Sequence, residues 1–211
     1  MRWEGNRQSD NVEDRRSEGY SGGGGGMLGG RTIGIGTIVI ALVAWGVFGI
    51  NPLTTIGVLS GGGGSPAVQQ QQGPAQKPPA SDQQAAFVST VLANTEDVWS
   101  QVFQQAGARY VAPKLVLYRG ATPTACGTGQ SAMGPFYCPQ DQKVYLDMGF
   151  FDTMQRQLGA PGEFARAYVI AHEVGHHVQN LQGLTDKVDS LRGRVSQAQQ
   201  NALSVRLELQ A

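Results

Sequence analysis

The sequence predicts an α+β domain, mostly helical with a small β-sheet, preceded by one transmembrane helix. Three observations carry that expectation. Thr32 to Ile50, "TIGIGTIVIALVAWGVFGI", is a run of nineteen uncharged residues. After residue 84, apolar residues recur at intervals of three and four in several long segments, the period of an amphipathic helix. Between those segments lie two short β-rich runs bounded by Pro and Gly, "PKLVLYRG" (113–120) and "KVYLD" (143–147).

Taken in order, residues 1–31 are expected to be a disordered cytoplasmic leader and residues 32–50 a transmembrane signal anchor. As a helix the anchor spans about 28 Å, which matches a bilayer core. A cleaved signal peptide normally has a shorter apolar region and a shorter leader, so the segment reads as uncleaved. The leader carries Arg2, Arg7, Arg15, Arg16 and Arg31, whereas the thirty residues after the span carry Lys77 alone. The positive-inside rule then places the leader in the cytoplasm and the rest of the chain outside. Residues 51–84, which include "SGGGGSPAVQQQQGPAQKPPASDQQ", are rich in Gly, Pro and Gln and read as a flexible tether.

The folded part is expected over residues 85–211. Phe87, Val88, Val91, Leu92, Val98, Val102 and Phe103 give a first helix from Gln84 to Gln105, stopped by Gly107. The two β-rich runs are expected to pair. Between them lie Cys126 and Cys138, the only cysteines. They are too few for a site of four thiolates, and a disulfide between them would stabilise the fold by about 3 kcal/mol in a chain-entropy estimate. A disulfide agrees with an oxidising compartment; unpaired thiols in a reducing one would also overturn the orientation. A short helix follows at Phe150 to Leu158. Then, after Pro161-Gly162, the residues Phe164, Ala167, Ile170, Ala171, Val174, Val178 and Leu181 give an amphipathic helix from Glu163 to Leu181. A loop around Gly183 leads to a last helix whose stripe is Val188, Leu191, Val195, Ala198, Ala202, Val205 and Leu209.

Sixteen basic and sixteen acidic residues cancel, so no polyanionic partner such as nucleic acid is implied. The chemistry is concentrated elsewhere. All three histidines, His172, His176 and His177, fall in "AHEVGHHVQN" (171–180) on the helix from Glu163. With 3 His and 7 Glu in 211 residues, His-Glu-x-x-His is expected by chance only about 0.001 times. On a helix, residues four apart share a face, so His172 and His176 can aim two neutral imidazoles at one Zn²⁺ ion. Glu173 lies about 100° around the helix, placed to face an activated water rather than the metal, which makes it the candidate general base. His177 points about 100° from His176 and is expected behind the ligands or on the surface. Gly175 removes a side chain where a neighbouring helix could come close.

Zinc in a catalytic site takes a third protein ligand, often a carboxylate. Glu208 stands at the edge of the last helix's stripe, three residues after Val205. From spacing alone it is either a rim residue or that ligand.

Together, "MRWEGNRQSDNVEDRR", the single span, "GPFYCPQDQKVYLD", "AHEVGHHVQ" and "LELQA" resemble the bacterial membrane-anchored neutral zinc metallopeptidase family. The resemblance covers nearly the whole chain except the tether. It implies a zincin-like domain on the bacterial inner membrane in which His172, His176 and Glu208 match metal ligands and Glu173 matches the catalytic base. The ending resembles the Glu-x-x-Ala-Asp signature of glutamate-zincins up to its last residue, and family members continue past it. The chain is thus expected to be a fragment.

The expected activity is zinc-dependent hydrolysis of a peptide or protein substrate, with Lys143 to Asp147 as an edge strand on which an extended substrate could add. Tyr145 and His177 are candidate helpers for the oxyanion. Two rivals stand beside it: a non-catalytic, membrane-tethered zinc-binding or scaffold protein, and a metal-dependent hydrolase of non-peptide amides.

Overall fold

Every strand of the sheet is short, and its alternation sorts side chains cleanly to two faces. The computed structural model describes residues 2–18, 76–130, 133–157, 159 and 162–211. In it, β1 (Val12–Asp14) lies beside β2 (Lys114–Tyr118), then β6 (Lys143–Asp147), then β5 (Phe136–Cys138). The first three strands are parallel and β5 is antiparallel to β6. The expected pairing of the two β-rich runs is present, from Lys114 beside Lys143 to Tyr118 beside Asp147. A separate hairpin, β3 (Ala121–Thr124) and β4 (Gly127–Gln130), fills part of the connection.

Leu115, Leu117, Val144 and Leu146 point to one face, where they pack with Val88 and Leu92 of α1 (Gln83–Gln105), Phe151 of α2 (Gly149–Gln157), and Ile170 and Val174 of α3 (Glu163–Leu181). Burying side chains of this size contributes roughly 1.5–3 kcal/mol each before ordering costs. The opposite face carries Val116, Tyr118, Cys138 and Tyr145, with Phe136 stacked on Tyr145 at 5.0 Å. The hairpin lies against this side. A Cβ on Gly129 would meet Phe136 Cζ at 2.5 Å, so only glycine lets β4 approach the ring. Cys126 and Cys138 are joined in a disulfide, tying the hairpin's turn to β5. Asp82 caps α1 by accepting from the Ala85 amide at 3.0 Å.

Three expectations need correction. The leader is not structureless: its residues 12–14 form β1, and β1 is held by charge. Glu13 is buried among Arg15, Lys114 and Lys143, each about 3.0 Å away. Burial alone would raise its pKa, but the hydrogen bonds from Lys143, Lys114 and Arg15 outweigh it and hold the carboxyl at about 2. Arg7 pairs with Glu96 and Asp97, and Arg16 with Asp14 and Asp82. Three of the five arginines counted for orientation are therefore engaged within the fold. The end of the tether joins in, with Gln76 accepting from the Asp14 amide and Lys77 paired to Asp10. The described residues 2–18 and those from 76 onward group as one compact unit.

This has a topological consequence. A single membrane crossing between β1 and β2 would put the two strands on opposite sides, so a cytoplasmic leader and an external domain are incompatible with this sheet. The segment 32–50 itself, and most of 51–84, lie outside the described residues. Among the described residues no helix is long and apolar enough to cross a membrane.

The second correction concerns the edge. Lys143–Asp147 is flanked on both sides; among the described residues the edge strands are β1 and β5, and β5 is the one that lines the histidine cleft. The third concerns the last helix, which is two: α4 (Leu184–Ser190) and α5 (Gln197–Gln210). Gly193 takes a φ of 75° in the break, and Ser196 starts α5 with a capping box to Gln199. The stripe therefore loses its phase, and no residue of either helix is buried; Leu209 is 83% exposed.

Candidate metal centre

α3 runs from Glu163 to Leu181, the bounds its periodicity predicts, and buries Ile170, Val174 and Val178. Ile170 and Val174 are the two that join the sheet's core cluster, and they fix the rotation of the helix's other faces. His172 and His176 are then presented to a cleft of about 430 Å³ whose walls include Phe136 and Tyr137 of β5, Gln179 of α3, and Leu207 and Glu208 of α5. Glu208 comes across from α5, with its Oε2 3.3 Å from His172 Nε2 and 3.4 Å from His176 Nε2. One ligand atom from each of the three residues lies within 4.8 Å of the others.

These separations can be tested against a metal. Ligand atoms about 2.0–2.1 Å from a tetrahedral zinc sit about 3.3–3.4 Å apart, the spacing of each histidine nitrogen from Glu208. The donor set of two imidazoles and one carboxylate is also one that zinc takes in catalytic sites. The residues fit the ion.

The approach of α5 depends on Gly175. A Cβ there would lie 2.5 Å from Ala211 O and 2.9 Å from Ala211 Cα, so the expected close neighbour is the C-terminal end of α5. Glu208 sits one turn before that contact. Glycine between the two histidines thus lets Glu208 approach them.

Glu173 is 7% exposed and lines the same cleft. Burial raises its pKa to about 7; the neighbouring Glu208 adds to the rise, while His176 and the Tyr137 backbone amide oppose it. That amide belongs to β5, so the edge strand reaches the candidate base. His177 is fully buried, behind the ligands rather than on the surface. Its Nε2 donates to Val111 O at 2.7 Å and its Nδ1 accepts from Tyr137 Oη at 2.9 Å, while Asn180 Nδ2 donates to the same phenol at 3.1 Å. Burial depresses its pKa, consistent with a neutral ring. Neither oxyanion candidate lines the cleft. His177 is committed to these bonds, and Tyr145 donates to Asp141 at 2.7 Å from within the sheet.

Sequence reasoning missed Tyr137 and Gln179. Nothing local marks Tyr137, because it reaches the site through sheet pairing. Gln179 did carry a signal: it follows His172 by seven and His176 by three, on the face that carries the ligands.

The family model described as "putative neutral zinc metallopeptidase" matches residues 1–211. The chain belongs to that family. YpfJ of Escherichia coli, an uncharacterised protein, is 52% identical over 214 residues that span 100% of this chain and 72% of YpfJ. Rv2575 of Mycobacterium tuberculosis, also uncharacterised, is 46% identical over 105 residues, covering 48% of this chain and 33% of that protein. No solved structure matches the chain. Membership of this family implies zinc.

Proposed function

We propose that this protein is a zinc-dependent metallopeptidase in which His172, His176 and Glu208 hold the metal and Glu173 is the general base. The observation that carries the reading is the convergence of Glu208 from a separate helix onto the two histidines, 3.3 and 3.4 Å away. A zinc ion held there supplies Lewis acidity toward water and a scissile carbonyl. Glu173 takes a proton from the attacking water and returns it to the leaving amine. Its burial raises its pKa above the ordinary carboxylate range, the direction that helps a base return the proton it has taken.

A peptide is favoured over other amides by the open edge of β5. Phe136 and Tyr137 line the cleft, so an extended chain adding to that strand by main-chain hydrogen bonds passes the candidate base. The helix bearing two ligands, the third ligand on a later helix and the adjacent edge strand together support a zincin-like arrangement. We attach the protein to the bacterial inner membrane through residues 32–50, with the folded domain on the extracytoplasmic side. The Cys126–Cys138 disulfide favours that side, and β1 takes the leader with it.

The test is Glu173→Gln, assayed on a pool of internally quenched peptides. Zinc content should be unchanged and hydrolysis should fall by about 10²–10⁴-fold. Turnover at the parent rate in that variant would remove Glu173 from the mechanism. Zinc binding with no hydrolysis by the parent would favour the scaffold reading.

A further inference from the structure

Gln179 makes three hydrogen bonds from a position only 3% exposed. Its Oε1 is 3.0 Å from His176 Nδ1, and its Nε2 is 2.7 Å from Leu207 O and 3.2 Å from Gln210 Oε1. Both the latter partners are on α5, on either side of Glu208. The amide orientation follows from donor and acceptor chemistry. Leu207 O can only accept, so the amide must turn its NH₂ toward α5 and its oxygen toward His176. His176 Nδ1 must then carry a proton, and in the neutral ring this leaves the lone pair on Nε2, the nitrogen that faces Glu208. His172 is different: its Nδ1 is buried with no hydrogen-bond partner.

We infer that Gln179 is a positioning residue that couples two of the three ligands, setting the tautomer of His176 with one end of its amide and holding the turn of α5 that carries Glu208 with the other. The inference rests on the zinc reading for its importance and on the hydrogen bonds alone for its geometry. Partners of this kind change metal affinity by about 10–100-fold when removed from a histidine ligand. Here both effects belong to one side chain, so their loss is concerted. Gln179→Leu keeps the bulk and removes both functions. Gln179→Glu keeps an acceptor for His176 and loses the donors to Leu207 and Gln210.

The experiment has two arms on the full chain. In the first, the metal-free protein is labelled with ¹⁵N-histidine, and the three rings are assigned by single histidine variants. The wild type should show His176 protonated at Nδ1. Gln179→Leu should show a mixture of tautomers, and Gln179→Glu should restore the Nδ1–H form. In the second arm, zinc itself is titrated against a chelator. Affinity should fall about 10–100-fold in Gln179→Leu and by less in Gln179→Glu. Thermal melts of the metal-free proteins check that each variant is folded. An unchanged tautomer and unchanged zinc affinity in folded Gln179→Leu would overturn the inference. Failure of the wild type to bind zinc would overturn the zinc reading instead, leaving the tautomer arm to judge the coupling.

Discussion

Gly175→Ala adds one methyl group at the point where the helix of His172 and His176 meets the helix of Glu208. On its own helix the change is favourable, because alanine is about 1 kcal/mol better than glycine in a helix interior. Across the interface it is not. The new Cβ would lie 2.5 Å from Ala211 O, 2.9 Å from Ala211 Cα and 3.0 Å from Ala211 C, against the 3.4 Å at which ordinary contact begins. All three atoms are backbone, so no side-chain rotation relieves the clash, and the end of α5 must withdraw by about 0.9 Å. Glu208 is one turn earlier on the same helix and moves with it. Metal–ligand distances tolerate only about ±0.2 Å, so a shift of that size carries the carboxylate out of range of a metal held by His172 and His176. Zinc affinity should fall by at least about tenfold, while the melting temperature of the metal-free protein changes little, the helix gain offsetting the lost contact. Chelator competition and thermal melts measure the two quantities separately. A variant stabilised by about 1 kcal/mol with undiminished zinc affinity would show that α5 does not depend on Gly175.

The leader's charges predict a pH response. Glu13 is held at about 2 in the folded protein against 4.5 unfolded, so below 4.5 the unfolded chain takes up a proton that the folded one refuses. Its contribution, of order 2 kcal/mol after allowing for the solvent-exposed lysine ends, is present above pH 4.5 and lost as pH falls toward 2. Acid unfolding followed by circular dichroism should be shallower in Glu13→Gln, and an identical profile would remove the Glu13 carboxylate from the stabilising set. Cys126 and Cys138 should resist thiol labelling on protein from intact cells until reductant is added; labelling without it would place the domain in a reducing compartment. Glu4→Cys and Gln104→Cys, each in a Cys126→Ser, Cys138→Ser background, should react with an impermeant maleimide from the same side of the membrane. Reaction from opposite sides would mean that β1 does not pair with β2 in the cell.

The parts legible in the sequence are those whose signal is local and long. The motif helix has seven apolar residues in register and appears with its expected bounds, and the runs 113–120 and 143–147 pair because each is a β-rich stretch with room for a crossover between them. What escaped is short or tertiary. β1 is three residues, Val12 to Asp14, in a segment whose arginines look like a membrane signal until Glu96, Asp97 and Asp82 are brought beside them. The stripe from Val188 to Leu209 looks continuous because spacing does not register the φ of 75° at Gly193. Spacing therefore leaves Glu208 ambiguous, and the structure brings it to the histidines by packing α5 on Gly175. β5 becomes the edge because Phe136 to Cys138 returns antiparallel on β6, a pairing that three residues cannot announce.

Zinc stoichiometry, measured by elemental analysis on the purified parent and on three variants, tests the three-ligand site most directly. The parent should hold one zinc per chain after dialysis against metal-free buffer. His172→Ala with His176→Ala should hold none, Glu208→Ala should bind the ion more weakly, and Glu173→Gln should keep it. A parent without stoichiometric zinc, or a double histidine variant that retains it, would contradict the site.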